Sequence, residues 1–467
     1  MKQDGFSSKL GFVLAAAGSA VGLGNIWRFP YLTAKYGGGI FLLTYVILVL
    51  TFGYALLISE NAIGRMTGKS PIGAFRDLCA GKKSFLGSVR IGGWVNSVVP
   101  MIILPYYCVI GGWVTKYVVA LAVNPVSNFH KDAVVNGQSA SAAYFVDFIS
   151  NPADSTIYFI AFVIITALVV ACGVEKGIER FNKILMPMLV LLIIGICVYC
   201  MFLPNAEAGF KYYLKPDVSK FSYMTVVAAM GQLFFSLSIA MGIMITYGTY
   251  MREKDDLVSS VNHVELFDTG VSFLAGMMII PAVVAFGGEK AAESAGPGLI
   301  FITMPQVFAS FPGGSIFGVL FFILVLFAAA TSAVSLMETN VHTISQELKI
   351  SRKKAITCVL GEVFAIGVIT VLGYSVLKNI KPLFFISKYQ NMDILDTLDF
   401  ISNSVLMPIG AIFTTVLVVA VIGLEKFSEH IKSDKPWYRE YIYQLCMSIV
   451  VIPCLLVVLL NATGILN

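Results

Sequence analysis

Apolar residues fill this chain in long blocks divided by short polar and basic segments, the pattern of a polypeptide that crosses a bilayer many times. Eleven blocks are long enough to span hydrocarbon as helices: 10–33, 38–64, 90–123, 156–173, 178–202, 223–250, 258–287, 315–346, 354–377, 394–423 and 438–464. The first block contains Gly18-Ser19-Ala20-Val21-Gly22-Leu23-Gly24-Asn25, followed by Ile26-Trp27-Arg28-Phe29-Pro30. An unpaired amide in hydrocarbon costs several kcal/mol, so a membrane helix normally keeps its backbone bonded. Glycines at 18, 22 and 24, with Asn25 beside them, predict that this helix breaks, and broken backbone at membrane depth is tolerated where it lines an enclosed cavity. Close helix packing through small residues is the alternative, but it leaves Asn25 and Arg28 without a reason.

A second interrupted run, Gly231-Gln232-Leu233-Phe234-Phe235-Ser236-Leu237-Ser238-Ile239-Ala240-Met241-Gly242, lies about two hundred residues on and falls in the sixth block. Matching breaks in two five-helix halves point to an inverted-repeat transporter with its binding site near the bilayer midplane. The expected organisation is one all-α integral membrane domain over 1–467. Its repeats fall at about 10–202 and 223–423, with an extra helix at about 438–464.

Composition agrees with the solvent inferred from the pattern: 57% hydrophobic and 13% charged residues, with mean hydropathy +0.83. The first block is too long for a cleavable leader and lacks a small-residue cleavage site. Placing the N-terminus in the cytoplasm puts about 21 Lys and Arg on inside loops and about 11 outside, as the positive-inside rule requires. An odd span count then puts the C-terminus outside, in a multi-pass cell-membrane protein such as those of the bacterial inner membrane. The net charge of +5 follows from this bias and calls for no nucleic-acid partner; no protein partner is implied either, only substrate and lipid. The eight cysteines lie mostly within spans and the four histidines are scattered, so neither a disulfide framework nor a zinc site is expected. No nucleophile elbow, phosphate-binding glycine loop or catalytic carboxylate pair is present, which argues against an enzyme.

Polar residues inside other spans fit the same cavity. Thr331 and Ser332, in Ala328-Ala329-Ala330-Thr331-Ser332, offer hydroxyls for an oxygen cage around a small cation, or bond back to the preceding helical turn. Asp268 places a carboxylate inside a span, at roughly 2.5–3.5 kcal/mol on insertion scales, and such groups are usually partnered and functional. Ser272 follows by four residues, on the same helix face.

These motifs resemble the neurotransmitter:sodium symporter family, in particular its bacterial amino-acid branch of leucine, tryptophan and tyrosine transporters. The resemblance rests on Gly22-Leu23-Gly24-Asn25-Ile26-Trp27-Arg28-Phe29-Pro30, Gly37-Gly38-Gly39, Tyr106-Tyr107, Gly231 to Ser238 and Ala330-Thr331-Ser332, in family order along nearly the whole chain. It implies eleven spans, broken first and sixth helices and two sodium sites. The first would use the Ala20 carbonyl, Asn25, Ser236 and Asp268 with the substrate carboxylate. The second would use the carbonyls of Gly18, Val21 and Ala328 and the hydroxyls of Thr331 and Ser332. Substrate carboxylate would meet the amides of Leu23 and Gly24 and the Tyr107 hydroxyl, and its ammonium the carbonyls of Ala20, Phe235 and Ser236. Ile103, Phe235, Ser238, Met241, Ser332 and Leu336 would surround the side chain. Half-helix amide ends attract carboxylate and carbonyl ends attract cations, so the arrangement is electrostatically coherent. Arg28 and Asp399 would form the outside gate.

The chain departs from the family in two places. Asp268 stands where relatives commonly have Asn. Tyr45, Gln232, Ser236 and Ser272 match the anion-site positions of chloride-dependent relatives, so a fixed carboxylate beside them implies chloride independence. The inside ion pair falls on Gln3 and Gln346, and the neighbouring Trp on Phe6; Lys2, Lys9 and Glu347 are the charged candidates nearby. Gly177 and Pro187 keep the family's glycine, nine residues, proline spacing at the start of span five, where Pro weakens the helix. The expected activity is sodium-coupled symport of neutral hydrophobic or aromatic L-amino acids by alternating access. A non-transporting amino-acid sensor and a proton-coupled carrier of the same fold are the rival expectations.

Overall fold

Long apolar runs with few breakers form helices wherever the sequence supplies a start and a stop. The computed structural model describes residues 5–82, 85–123, 134–135, 138–252, 254–293, 297–432 and 436–464. Ser8 caps the first helix by accepting from the Gly11 amide at 3.0 Å. Asn151 caps the fourth span ahead of Pro152, and Ser222 with Thr225 forms a capping box at the start of the sixth.

Among the described residues, nine single helices are long and apolar enough to cross a membrane: Gly39–Thr67 (span 2), Leu86–Val123 (span 3), Pro152–Ala171 (span 4), Val174–Met201 (span 5), Leu257–Gly288 (span 7), Gly314–Glu347 (span 8), Arg352–Leu372 (span 9), Ile394–Ile431 (span 10) and Glu440–Ala462 (span 11). Lys9–Ala20 and Gly24–Lys35 together make span 1, bent by 47° at the break. Span 6 is split into Tyr223–Ser236 and Ile243–Thr249. The eleven expected crossings are consistent with this arrangement. Span 9 stops at Leu372, short of the expected 377, because Gly373 to Leu377 turn back instead of continuing the helix. A short antiparallel ribbon, Val134–Val135 with Gln138–Ser139, lies in the loop between spans 3 and 4.

Ends that alternate crossing assigns to the face bearing the N-terminus meet there. Ser7 bonds Glu179 at the start of span 5, Arg76 pairs with Glu347 at the end of span 8, and Lys9 reaches Ser259 at the start of span 7. Spans 3 and 8 are central, with 78% and 72% of their apolar windows buried, whereas spans 4, 5, 9 and 11 are one-third buried. Exposed apolar side chains on the outer spans, such as Ile157, Leu168 and Leu191, are the surface a lipid solvent requires.

The second half of span 6 lies directly on span 2. A Cβ at Gly64 would sit 1.9 Å from the Ile245 carbonyl oxygen, and one at Gly248 would sit 2.3 Å from that of Asn61. Only glycine permits this approach of backbone to backbone.

Candidate functional site

Both breaks open beside each other in the core. In span 1 the helix ends at Ala20, Val21 is extended (φ −77°, ψ 93°), and a π-helical turn, Gly24–Arg28, restarts the span. In span 6 the linker after Ser236 takes positive φ at Ser238 (53°), Ala240 (60°) and Gly242 (67°). Two of those are non-glycine residues in the left-handed region, a strained conformation that persists only where surroundings hold it. Glu60 supplies part of that hold, accepting from the Ala240 amide at 2.8 Å. The linker also reaches span 1, because Ser238 Oγ donates to the Ser19 carbonyl at 3.0 Å.

Between the breaks lies a narrow cavity of about 20 Å³, lined by Ala20, Gly24, Ile103, Tyr107, Phe235, Ser238, Met241, Ser332 and Leu336 from the expected set. Leu23 stands just above it, its amide donating to the Tyr107 hydroxyl at 3.2 Å. Ser236 is turned away from the cavity. Ser19, Gly22 and Ile243 also line it, and neither Ser19 nor Ile243 was expected. A Cβ at Gly22 would lie 2.4 Å from Ser332 Oγ and 3.0 Å from the Tyr107 hydroxyl, so no side chain fits there without displacing both.

Asp268 is fully buried and organises one end of the site. Its Oδ1 accepts from Asn25 Nδ2 and Ser236 Oγ, each at 2.7 Å, and Oδ2 accepts from the Tyr45 hydroxyl at 3.3 Å. Asn25 Nδ2 also reaches Ser272 Oγ at 2.8 Å, while its Oδ1 takes the Gly22 amide at 3.0 Å across the break. Asn25, Ser236 and Asp268 are therefore brought together. Of the four anion-site positions, Tyr45, Ser236 and Ser272 join this cluster, and Gln232 bonds the Gly24 carbonyl at 2.9 Å instead.

Part of the second expected cation cage is brought together: Ser332 joins spans 8 and 1, whereas Thr331 bonds back along its own helix. Ser332 Oγ donates to the Ser19 carbonyl at 3.0 Å and lies 3.4 Å from the Gly18 carbonyl. Thr331 Oγ1 lies 3.1 Å from the carbonyls of both Phe327 and Ala328. Val21 lies in the break of span 1. A set of neutral carbonyl and hydroxyl oxygens suits a hard, weakly charged cation, since such ions take oxygen ligands.

Beyond Tyr107 and Phe235, on the face away from the N-terminus, a vestibule of about 280 Å³ contains both Arg28 and Asp399. The two expected gate residues face one cavity without a hydrogen bond or ion pair joining them. Asp399 instead accepts from Tyr106 at 3.1 Å and from Asn403, and Arg28 lies over the Phe235 ring, 5.6 Å from its centroid.

The N-terminal face is closed by a different set. Phe6 is buried against Phe12, Tyr247 and Tyr250, and its amide donates to the Tyr250 carbonyl at 3.1 Å. The Tyr250 hydroxyl meets Glu338 Oε1 and His342 Nδ1, each at 2.8 Å. Glu338, fully buried, accepts from both terminal guanidinium nitrogens of Arg352. Gln346 accepts from the Ser70 amide, Glu347 pairs with Arg76, and Lys9 bonds Ser259. Lys2 and Gln3 lie outside the described residues. The buried Glu338–Arg352 pair was not singled out from sequence, although a carboxylate inside an apolar span was the available signal.

The profile of the "Sodium:neurotransmitter symporter family" matches residues 3–144 and 122–466. An uncharacterized sodium-dependent transporter of Bacillus subtilis is 33% identical over 464 residues, covering 99% of this chain and 98% of the relative. One from Methanocaldococcus jannaschii is 34% identical over 443 residues, covering 92% and 84% respectively. The crystal structure of MhsT in complex with L-phenylalanine superposes with a TM-score of 0.86 at 33% identity, covering 98% of this chain and all of that one. Nearly full-length similarity to transporters, on a fold with both helices broken at the same cavity, leads to one assignment: the chain belongs to the sodium:neurotransmitter symporter family, in its bacterial branch, as a multi-pass membrane transporter and not an enzyme.

Proposed function

We propose that this chain is a sodium-coupled, chloride-independent symporter of neutral hydrophobic or aromatic L-amino acids. The observation that carries the reading is the convergence of two helix breaks on an apolar cavity flanked by two oxygen clusters. The Leu23 and Gly24 amides and the Tyr107 hydroxyl receive the substrate carboxylate, and the carbonyls of Ala20, Phe235 and Ser236 receive its ammonium. Ala20, Asn25, Ser236 and Asp268 hold one sodium; Gly18, Val21, Ala328, Thr331 and Ser332 hold the other. Because Gly22 has no room for a side chain, the protein brings no carboxylate of its own to that spot, and the substrate must supply one. Ile103, Met241 and Leu336 offer no partner to a charged side chain, and Met adapts to varied apolar shapes. The phenylalanine in the MhsT complex supports this class. Arg28 and Asp399 close the outer vestibule when they approach each other. The N-terminus is cytoplasmic and the C-terminus external.

The test is thermal melting of the purified protein with leucine, phenylalanine, tryptophan, glutamate or tyramine, in sodium or choline buffer. A ligand at a hundred times its Kd stabilises by about 2.7 kcal/mol, so the first three are expected to raise Tm only in sodium. Equal stabilisation by glutamate or tyramine contradicts the substrate class, and stabilisation in choline favours proton coupling. Binding without counterflow in proteoliposomes identifies a sensor.

Closure of the cytoplasmic face rests, in this reading, on Glu338 and Arg352 acting through Tyr250 on Phe6. Glu338→Gln preserves side-chain size but leaves Arg352 facing a neutral group. Breaking a buried ion pair from one side is costly; with Arg352 partly exposed, a loss of about 2 kcal/mol is expected. Substrate affinity from the external side should fall with it, because the closed inner face is what external binding requires. Unchanged melting and affinity would remove these residues from the closure.

A further inference from the structure

Where span 9 ends, residues 374–392 cross the face away from the N-terminus before span 10 begins at Ile394. Arg352–Leu372 has 21 residues, a length of about 30 Å, which is also the thickness of the hydrocarbon core. With Arg352 at one edge of the bilayer Leu372 reaches the other, so the segment starts at headgroup level. Its far side is held at the same level by span 11. Lys388 Nζ donates to the Asn461 carbonyl at 3.0 Å, and the Tyr389 hydroxyl donates to that of Ala462, the last helical residues of that span. Spans 9 and 11 both belong to the lipid-facing rim, one-third buried.

Between these anchors the segment carries side chains of two kinds. Val376, Phe384 and Phe385 are 74%, 74% and 69% exposed, and Ile380 is about half exposed (49%). Large apolar groups standing this far out of a fold mark a contact surface. Lys378, Lys381 and Lys388 are interspersed with them, and residues 374–392 contain no Asp or Glu. The backbone is also suited to a poorly solvating medium. The Ile380 amide donates to the Leu377 carbonyl at 2.9 Å, that of Phe384 to Lys381 at 3.1 Å and that of Ile386 to Leu383 at 3.0 Å, while Pro382 has no amide hydrogen to satisfy. Apolar groups among cations, at headgroup depth, are complementary to an anionic lipid surface.

We propose that residues 376–388 are a docking surface for anionic phospholipid in the leaflet away from the N-terminus. Phe384 and Phe385 enter the upper acyl chains, and Lys378 and Lys381 lie among the phosphates. Tyr374 and Asp393, at the two ends of the segment, line the outer vestibule with Arg28 and Asp399. The docked segment therefore tethers the rim of that cavity to the bilayer.

The test uses this chain reconstituted in vesicles of phosphatidylcholine, or of equal parts phosphatidylcholine and phosphatidylglycerol. Phe384→Trp adds one reporter to the four native tryptophans, whose emission is subtracted using the wild type. The added emission is expected to be quenched by lipids brominated on their acyl chains and shielded from acrylamide in the water, more so with phosphatidylglycerol present. Lys378→Gln in the same background should shift the ratio of acrylamide to bromine quenching about fivefold toward water in the mixed vesicles, the effect of one basic residue near an anionic surface. In phosphatidylcholine alone it should change nothing. An added tryptophan that acrylamide reaches and bromine does not overturns the docking. Equal quenching in both lipids, with no effect of Lys378→Gln, overturns the anionic partner. Emission that follows protein density at fixed lipid composition identifies a second copy of this chain as the occupant and overturns the proposal too. If Phe384→Trp does not melt like the wild type in detergent, Phe385→Trp is read by the same criteria.

Discussion

Replacing both Thr331 and Ser332 with Ala is expected to abolish sodium-dependent uptake while leaving the protein folded and inserted. The second cluster would lose two of its five proposed ligands, and both are hydroxyls that nothing nearby replaces. A polar contact to a charge contributes about 1.5–3 kcal/mol, so losing two weakens sodium binding by about a hundredfold or more. The folding cost is smaller. These hydroxyls donate to carbonyls of Phe327, Ala328, Gly18 and Ser19, net contributions of about 1 kcal/mol each. Sodium titration of the melting temperature separates the two effects. A double variant that melts like the wild type yet keeps its sodium affinity would remove the assignment.

The other large effect is expected at Asp268. Uptake by the wild type should be indifferent to replacing chloride with gluconate, whereas Asp268→Asn should lose activity or become chloride-dependent. Tyr45, Ser236 and Asn25 already direct their donors at the Asp268 carboxylate, and Ser272 lies against Asn25. A chloride beside them would sit close to that carboxylate. Two such charges about 4 Å apart repel by about 4 kcal/mol at an effective dielectric of 20. Removing the charge but not the shape frees the same donors for an anion. A wild type that stops in gluconate shows that Asp268 is not the charge substitute.

Much of the central site was legible because hydrocarbon makes polar groups conspicuous. Gly22, Gly24 and Asn25 interrupt an apolar run, and Asp268 places a carboxylate well inside one, so each announced itself before any geometry. Ser19 and Ile243 did not. Serine beside glycine reads as packing, and isoleucine past a break reads as ordinary membrane helix, yet both line the cavity. The closure of the N-terminal face was missed for a different reason. Arg352 stands in the basic run Arg352-Lys353-Lys354, for which the positive-inside bias is already a sufficient reason, and its partner lies on the previous span across a turn. Pairing of that kind follows from how spans 8 and 9 pack, and no local pattern encodes it. The end of span 9 was placed late because Gly373 to Leu377 are mostly apolar, and hydropathy does not distinguish a turn from a last helical turn.

The contact of Gly64 and Gly248 with facing backbone makes spans 2 and 6 mechanically one piece at that point. Side chains between helices can change rotamer and absorb a displacement, but two backbones in direct contact have no such slack. Any tilt of Ile243–Thr249 is therefore transmitted undiminished to the end of span 2, and from there through Ser70 and Arg76 to the end of span 8. Amide hydrogens of the two segments should consequently exchange as a single cooperative unit, slowing or quickening together as ligands are added. A methyl group at Gly64 would act as a wedge that parts the pair, and the two segments should then exchange independently.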